Sequence, residues 1–414
     1  MPNPQEACEP PDWRAERLLA APHRLAFFVA ALGLAGSALW WLAALLLSLP
    51  WAVAPSLAHG LLFAGGFMPA FIAGFLFTAG PRWLGMPELD ARQLLAPLLL
   101  FGAGWVQALV AFHVSSLWAA LALLQVAMAW GWLLLRFVPL LRASRVPDRL
   151  HALGVVLAGF LGLAALLAAA LGLQREDPLL LRAAVHALLW LWLAPTFVIV
   201  SHRMLPFFSA AVLPGLEVWR PYTVLVGLLV LLVLTGAVEL APLLGWSLPA
   251  GVEWLAAALL LAGGLGLLGL AWRWGLARSL RGVGLRLLAM LHVGFVWLGL
   301  TALLAAVAAA WRASGGAGLG LAPLHAMTLG YLGSTLVAMA TRVVTGHSGR
   351  PLAVDAWAWR GFLLLQAGVL LRLAAALNLL PAWPSGLVWA LVASAWAWRH
   401  GLWLGQPRAD GRPG

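Results

Sequence analysis

Histidines are the residues of this sequence best suited to bind a metal, and three of them occupy matching places. His59, His186 and His325 each lie near the beginning of a long apolar run. Imidazole is a ligand for haem iron and for copper. If the three runs cross a bilayer in the same direction, their histidines lie at similar depth and can form one site. The alternative for each is a hydrogen bond between neighbouring helices.

The segment that begins at Pro323 gives the strongest indication of a functional site. At helical spacing, one face of this run holds His325, Thr328 and Arg342, and ionisable residues in a spanning helix usually mark a site. We expect His325 to be an axial haem ligand paired with His59 or His186. Thr328, one turn later, is expected to accept the second ring N–H of His325. The rival hypothesis is that His325 binds copper while haem lies near His292.

A second group of candidates lies toward the opposite ends of the apolar runs. Arginine binds carboxylates through paired hydrogen bonds, so this group is suited to haem propionates or another anion. The alternative is that its arginines only anchor the chain at the membrane surface. The group contains His23, His202, Arg203, His292, Arg342, His347 and Arg350. His325 and His347 are 22 residues apart. A straight helix would separate them by roughly 33 Å, so they cannot ligate one metal.

The elements that position these residues are predicted to be membrane helices. The 414 residues are 63% hydrophobic and 9% charged, as in an integral membrane protein of the all-α polytopic class. Its partner is therefore a lipid bilayer, and no nucleic acid is expected despite the net charge of +11. Apolar runs predict twelve spans, near 25–49, 57–79, 94–112, 114–135, 151–173, 179–200, 222–245, 252–272, 285–311, 320–341, 358–380 and 385–404.

Arginine placement predicts the orientation of these spans. Of the 25 basic residues, all of them arginine, 21 fall in the N-terminal tail, the even-numbered loops and the C-terminal tail. Cytoplasmic loops of membrane proteins are enriched in arginine, which places both termini in the cytoplasm. The predicted domains are a cytoplasmic tail at 1–24, a membrane domain at 25–404 and a cytoplasmic tail at 405–414. The acidic N-terminus predicts no cleavable signal peptide.

Other residues limit the chemistry. The single cysteine, Cys8, excludes intrachain disulfides and cysteine-ligated iron–sulfur clusters. No phosphate-binding loop, H-E-x-x-H motif or serine nucleophile elbow is present, so no catalytic residue can be assigned. Within the spans, Arg372 is expected either to pair with Glu239 or to hold a haem propionate. Pro69 and Pro195 predict kinks near the middle of their helices.

Four segments resemble the signature of the NnrS family. They are PHR at 22–24, HGLLFAGGFMPAFIAGFLFTAGPRW at 59–83, SHRMLPFF at 201–208, and LHAMTLGYLGSTLVAMATRVVTGHSGRP ending at Pro351. This resemblance implies a twelve-span bacterial inner-membrane protein that contains haem and copper and is linked to nitric oxide metabolism and nitrosative stress. Its partners would be nitric oxide or iron–nitrosyl species. The matching motifs contain His23, His59, His325 and His347, and His186 and His292 fit less distinctly.

A different class of function accounts for several of the same features. Twelve spans, proline-interrupted helices and intramembrane charge are also typical of secondary transporters. The second hypothesis is therefore a transporter of a metal, haem or a small anionic compound. The two differ in one observable property, because a haem protein absorbs in the Soret region and a transporter without cofactor does not.

Overall fold

In a computed structural model that describes residues 12–412, the polypeptide is helical and those residues contain no β-strand. The helices are α1 (Pro22–Leu46), α2 (Pro55–Leu84), α3 (Ala91–Val114), α4 (Ser116–Ala143), α5 (Leu150–Gln174), α6 (Pro178–Val212), α7 (Tyr222–Leu243), α8 (Ala250–Arg273), α9 (Val283–Ala313), α10 (Ala322–His347), α11 (Ala356–Ala376) and α12 (Trp383–Leu404). Residues 1–11 of the predicted N-terminal tail, including Cys8, lie outside the described residues.

Eleven of these helices, α1 to α11, are long and apolar enough to cross a membrane. In lipid only a helix or a closed barrel can satisfy every backbone polar group, which explains why the apolar runs are helical. The helix α12 has 22 residues but is rich in tryptophan and falls outside that set within residues 12–412. The short separator predicted between α3 and α4 is confirmed. Ser115 caps α4 there by accepting a hydrogen bond from the backbone N–H of Trp118 at 3.3 Å.

Three helices lie inside the bundle. In α2, α6 and α10, 83%, 67% and 72% of the most apolar window is buried, against 61% or less in every other span among the described residues. The remaining helices surround these three, and contact between α1 and α12 closes the ring. The inner helices are those that begin with His59, His186 and His325. The fold therefore places the three sequence candidates at its centre.

All three inner helices depart from regular α-helical geometry. α2 is interrupted at Gly66, and Pro69 cannot donate a hydrogen bond to the carbonyl one turn earlier. α6 contains a π-helical segment, Leu188–Leu193, immediately before Pro195, so both predicted kinks are confirmed. α10 has a longer π-helical segment, Ala326–Gly333, which is not followed by a proline as the segment of α6 is. Single π-helical turns inside α-helices are frequent at functional sites.

Two glycines allow the inner helices to approach their neighbours closely. A Cβ atom at Gly74 of α2 would lie 2.5 Å from the ring of Phe27 in α1. A Cβ atom at Gly330 of α10 would lie 2.8 Å from the ring of Trp297 in α9. Small residues at such positions permit the close packing by which membrane helices associate.

The two ends of the bundle can be named by their histidines. At the His23 face, α1 begins, and Arg24 donates hydrogen bonds of 3.0 Å to the carbonyls of Leu404 and Gln406 at the end of α12. The beginning of α1 and the end of α12 thus lie on the same side. At the opposite end, the His59 face, α2 and α10 begin.

Candidate functional site

His59 and His325 both lie at the His59 face, near enough for their charges to interact. His325 and Arg372 of α11 are the ionisable groups whose charges act on His59. The ring of His59 stacks on Trp41 with centroids 4.0 Å apart and contacts Phe63 at 4.3 Å. Its Nδ1 atom is buried and has no hydrogen-bond partner. A buried imidazole nitrogen without a partner has a lone pair or proton available to a ligand.

The tautomer of His325 follows from its hydrogen bond. Its Nδ1 lies 2.9 Å from the carbonyl oxygen of Leu321, and because a carbonyl only accepts, Nδ1 carries the proton. The Nε2 atom of the neutral ring therefore has a free lone pair, the state of a metal-binding histidine. Thr328 is not the acceptor that the sequence suggested, because its hydroxyl donates to the carbonyl of Leu324 at 3.0 Å.

The other polar groups at this face are arranged differently from the prediction. His186 interacts electrostatically with Arg182, and its buried Nδ1 is without a partner. Within residues 12–412 no group of three or more histidine, cysteine, aspartate or glutamate side chains could hold one metal ion.

The predicted pairing of Arg372 with Glu239 is not formed. Arg312 binds Glu253 instead, with Nε to Oε1 at 2.9 Å, and Glu239 lies beside that pair with its Oε1 buried and unpartnered. The charge of Arg372 acts instead on His59 and His325. The propionate alternative for Arg372 remains a prediction.

A small cavity of about 70 Å³ lies between the inner helices α2, α6 and α10. Its lining is apolar and largely aromatic except for Thr196, Ser201 and Thr335. The hydroxyl groups of Thr196 and Thr335 are buried and unpartnered, whereas Ser201 is hydrogen-bonded to Tyr331 at 3.0 Å. Pockets that bury small organic ligands have about 300–1,000 Å³. The cavity is therefore smaller than such a pocket in this arrangement of the helices.

His23 and His347 meet at the His23 face, beside this cavity. Their ring centroids are 4.2 Å apart, although the residues belong to the first and the tenth helix. His23 also contacts Phe27, a cavity-lining ring, with centroids at 6.3 Å. The helix α10 continues beyond the predicted span at 320–341 and ends at His347. His347 therefore lies one helical turn after Val343, another lining residue.

Arginines surround the cavity at this face. The guanidinium carbon of Arg342 lies 3.9 Å from the ring of Phe208, and that of Arg203 lies 4.8 Å from the ring of Trp83. Both rings line the cavity. Arg350 is directed toward α12, where it donates to Gln406 at 3.1 Å. Burial and the nearby charge of Arg399 lower the pKa of Arg350. Arg342 and Arg350, which the sequence analysis placed in one group, therefore contact different parts of this face.

Sequence reasoning singled out His202 and Arg203 but missed the polar network that they form with His151 and Asp148. His151 Nε2 and His202 Nδ1 are 2.9 Å apart, and His202 Nε2 lies 3.1 Å from the carbonyl of Pro221. Arg203 donates to Nδ1 of His151 at 3.3 Å and to Asp148 at 3.0 Å. Arg203 can only donate, so His151 Nδ1 accepts and His151 carries its proton on Nε2. The carbonyl of Pro221 can only accept, so His202 also carries its proton on Nε2, and its Nδ1 accepts from His151. Both rings are therefore neutral. The adjacent charges Asp148, Arg149 and His151 after α4 were the signal for this network.

His292 has one ring nitrogen with a hydrogen-bond partner and one without. Its Nε2 is hydrogen-bonded to the hydroxyl of Ser209 at 3.1 Å, while its Nδ1 is buried without a partner. It lies on α9 next to Leu291, which lines the cavity. His292 is therefore adjacent to the cavity. Among the described residues it contacts no other histidine.

The helices α6 and α10 carry the same arrangement of residues. In each, a histidine precedes a π-helical segment, an unpartnered threonine follows ten residues after the histidine, and an arginine follows seven residues later. The matched pairs are His186 and His325, Thr196 and Thr335, and Arg203 and Arg342. Cavity-lining residues coincide at the same offset, which indicates an internal repeat.

Comparison with protein families gives one match that covers nearly the whole chain. The sequence model described as NnrS protein matches residues 17–408. That range contains every histidine and arginine discussed above. No curated protein shows significant sequence similarity to this chain.

Proposed function

The chain belongs to the NnrS family, and from that premise we propose that it is a haem- and copper-containing membrane protein of nitric oxide metabolism. In this proposal it protects cells against nitrosative stress. The observation that supports the proposal is the free ring nitrogen that both His59 and His325 present at the His59 face. One ring has a buried nitrogen without a partner, and the other has its Nδ1 proton fixed on a carbonyl, which frees Nε2.

The residues present fit metal and haem binding. Neutral imidazoles are ligands for both copper and haem iron. Four histidines, His23, His59, His186 and His292, have a buried Nδ1 with no partner among the described residues. Buried polar atoms are rarely left unsatisfied, so a repeated exception of this kind supports ligand binding. Bound haem or copper would supply the affinity for nitric oxide, while the protein supplies the ligands and an apolar environment.

The proposed location is the bacterial inner membrane with the His23 face in the cytoplasm. The beginning of α1 and the end of α12 lie at that face, together with most of the arginines. Reporter fusions after Arg149 and after Arg412 should both report the cytoplasm. A periplasmic signal at either position would contradict this orientation.

The test of the proposed function is the absorption spectrum and metal content of the purified chain. We expect a Soret band and bound copper, and we expect cells that lack the protein to grow more slowly under a nitric oxide donor. A colourless and metal-free preparation from haem- and copper-replete cells would contradict the proposal.

The alternative function is secondary transport of a metal, haem or a small anion. The interrupted helices α2, α6 and α10 surround a central cavity, and broken helices at a central site are typical of transporters. A metal-free preparation that takes up such a compound into liposomes would favour this alternative.

A further inference from the structure

Glu239 of α7 is a buried carboxyl outside the histidine sites. It is 6% exposed, and it forms no ion pair with the residues that the structure describes. Its Oε1 atom is buried and has no hydrogen-bond partner there. An ionisable side chain inside a membrane helix is costly, so it usually marks a site or is paired with another charge. Because Glu239 is not paired, its presence in α7 indicates a site.

The cation beside Glu239 is already bound to another carboxylate. Arg312 of α9 donates two hydrogen bonds to Glu253 of α8, from Nε to Oε1 at 2.9 Å and from Nη2 to Oε2 at 3.0 Å. A guanidinium binds one carboxylate in this paired geometry. The charges of Arg312 and Glu253 therefore cancel. The group of three is electrically balanced only when the carboxyl of Glu239 is neutral.

The helix α6, on another side of α7, does not neutralise Glu239 either. Arg182 of α6 donates to the carbonyl oxygen of Leu243 at the end of α7, at 2.8 Å. A helix C-terminus carries partial negative charge, so the guanidinium is bound there. His186 lies one turn after Arg182 on α6. The charged and titratable groups around Glu239 on the neighbouring helices are thus Arg182, His186, Glu253 and Arg312.

Two features beside the same stretch of α7 indicate that a polar ligand can reach it. The ring of Trp190 in α6 lies against Gly236, where a Cβ atom would be 2.9 Å from it, and its Nε1 is buried without a partner. A cavity of about 10 Å³, close to the smallest that holds one water, is lined by Thr235 and Thr301. Both hydroxyls donate to carbonyls four residues earlier, at 2.7 and 2.8 Å, which leaves their lone pairs available to water. Thr235 is one turn before Glu239, so this cavity lies along the same face of α7.

We propose that Glu239 is a proton-binding site of the membrane domain, with a carboxyl that is neutral at rest and exchanges its proton with water. In the exchange the O–H bond of the carboxyl breaks, the proton passes to a water molecule, and the carboxylate remains. A redox cofactor that changes its charge and a transported ion both require a compensating proton. The site therefore goes beyond the proposed function and would serve either of the two functions considered above.

The test is infrared spectroscopy of the full chain, purified in detergent, in H₂O and in D₂O. A protonated carboxyl has a carbonyl stretching band that a carboxylate lacks, and deuteration moves this band to lower frequency. We expect the wild type to show the band at neutral pH, to shift it in D₂O and to lose it reversibly at alkaline pH. Glu239→Gln should lose the band. Asp148→Asn is the matched control and should keep it, because Asp148 is an ionised carboxylate bound by Arg203 and Tyr222.

A second pair of variants tests why the carboxyl is neutral. Glu253→Gln releases Arg312, which can then pair with Glu239 and ionise it. The band should disappear in this variant although Glu239 is present. The double variant Glu253→Gln with Arg312→Gln also removes the released cation, so the band should return.

Three results would overturn the inference. A band that persists in Glu239→Gln would assign the neutral carboxyl to another residue. A band that neither shifts in D₂O nor falls at alkaline pH would show a permanently neutral group. If Glu239→Gln does not fold, the second pair decides, because a band that stays unchanged in Glu253→Gln contradicts the proposed charge balance. None of these measurements depends on haem or copper, so this inference and the proposed function can fail independently.

Discussion

The network around Asp148 and the pair of His59 with His325 use histidine in opposite ways. All four ring nitrogens of His151 and His202 have partners in the protein. His59 has a buried nitrogen with none, and His325 keeps Nε2 free of any described partner. Hydrogen-bond satisfaction therefore separates histidines that stabilise the fold from histidines available to a ligand, a distinction that burial alone does not make.

The largest expected effect separates the two regions by cofactor content. His325→Ala should lower the content of bound haem or copper at least tenfold, because it removes an imidazole whose Nε2 lone pair is free. His202→Ala should leave both contents unchanged, because neither of its ring nitrogens is free. The pyridine haemochrome of the purified variants measures haem, and mass spectrometry measures copper. If His202→Ala depletes a cofactor as strongly as His325→Ala does, partner satisfaction does not identify the ligands.

The second effect concerns stability, which the change in the Asp148 network should lower more than the change at His59. His202→Ala leaves His151 Nε2–H and the carbonyl of Pro221 without partners in a buried environment. Such a change costs about 1–3 kcal/mol for each group left unsatisfied. His59→Ala breaks no hydrogen bond of the described residues and should cost less. Thermal unfolding of the cofactor-free variants in detergent compares them. A larger loss in His59→Ala would contradict the distinction.

The third effect is the pH dependence of the Asp148 network. Burial alone would raise the pKa of Asp148, but hydrogen bonds from Tyr222 and Arg203 and the charge of Arg203 outweigh it and hold that pKa at about 2. An unfolded aspartate has a pKa of about 3.9. The stabilisation is therefore complete above pH 4 and is lost as the pH falls through about 2.

Measurement of unfolding temperature against pH checks this sign. Asp148→Asn should be less stable than the wild type at neutral pH, and the difference should shrink between about pH 4 and pH 2. Copper and haem content should be unaffected at neutral pH. A difference that grows on acidification would show that Asp148 does not stabilise the fold as a carboxylate.

Sequence reasoning found the helices more readily than the contacts between them. The apolar runs predicted the helices, because the lack of water in lipid leaves the backbone few alternatives; eleven of the twelve are long and apolar enough to cross a membrane among the described residues. The expectation that His59 and His325 lie at one face followed from equal depth in two spans. The proximity of His23 to His347 depends on which helices are neighbours. Spacing along the chain does not determine that order.

The π-helical segments are a second feature that spacing along the chain did not predict. One extra residue per turn rotates the remainder of α10 relative to an ideal helix, so the predicted polar face of that run is not continuous. Thr328 bonds the carbonyl of Leu324 rather than His325, as threonines in helices commonly bond the carbonyl four residues earlier. No proline marks this segment, in contrast to Pro195 in α6. Comparison of α6 with α10 as repeats would have been the available signal.

The smallest effect tests His292, which combines features of both classes. Its Nε2 is bonded to Ser209 at 3.1 Å, as in a structural histidine, but its Nδ1 is buried and free, as in a ligand. Ser209→Ala should cost about 0.5–1.5 kcal/mol, the usual net value of one hydrogen bond. Because His292 contacts neither histidine pair among the described residues, haem and copper content should be unchanged. Thermal unfolding and metal analysis measure the two quantities, with Ser314→Ala at an exposed hydroxyl as the control. A loss of either cofactor in Ser209→Ala would move His292 into the ligand class, because the hydroxyl would then be orienting a metal-binding ring.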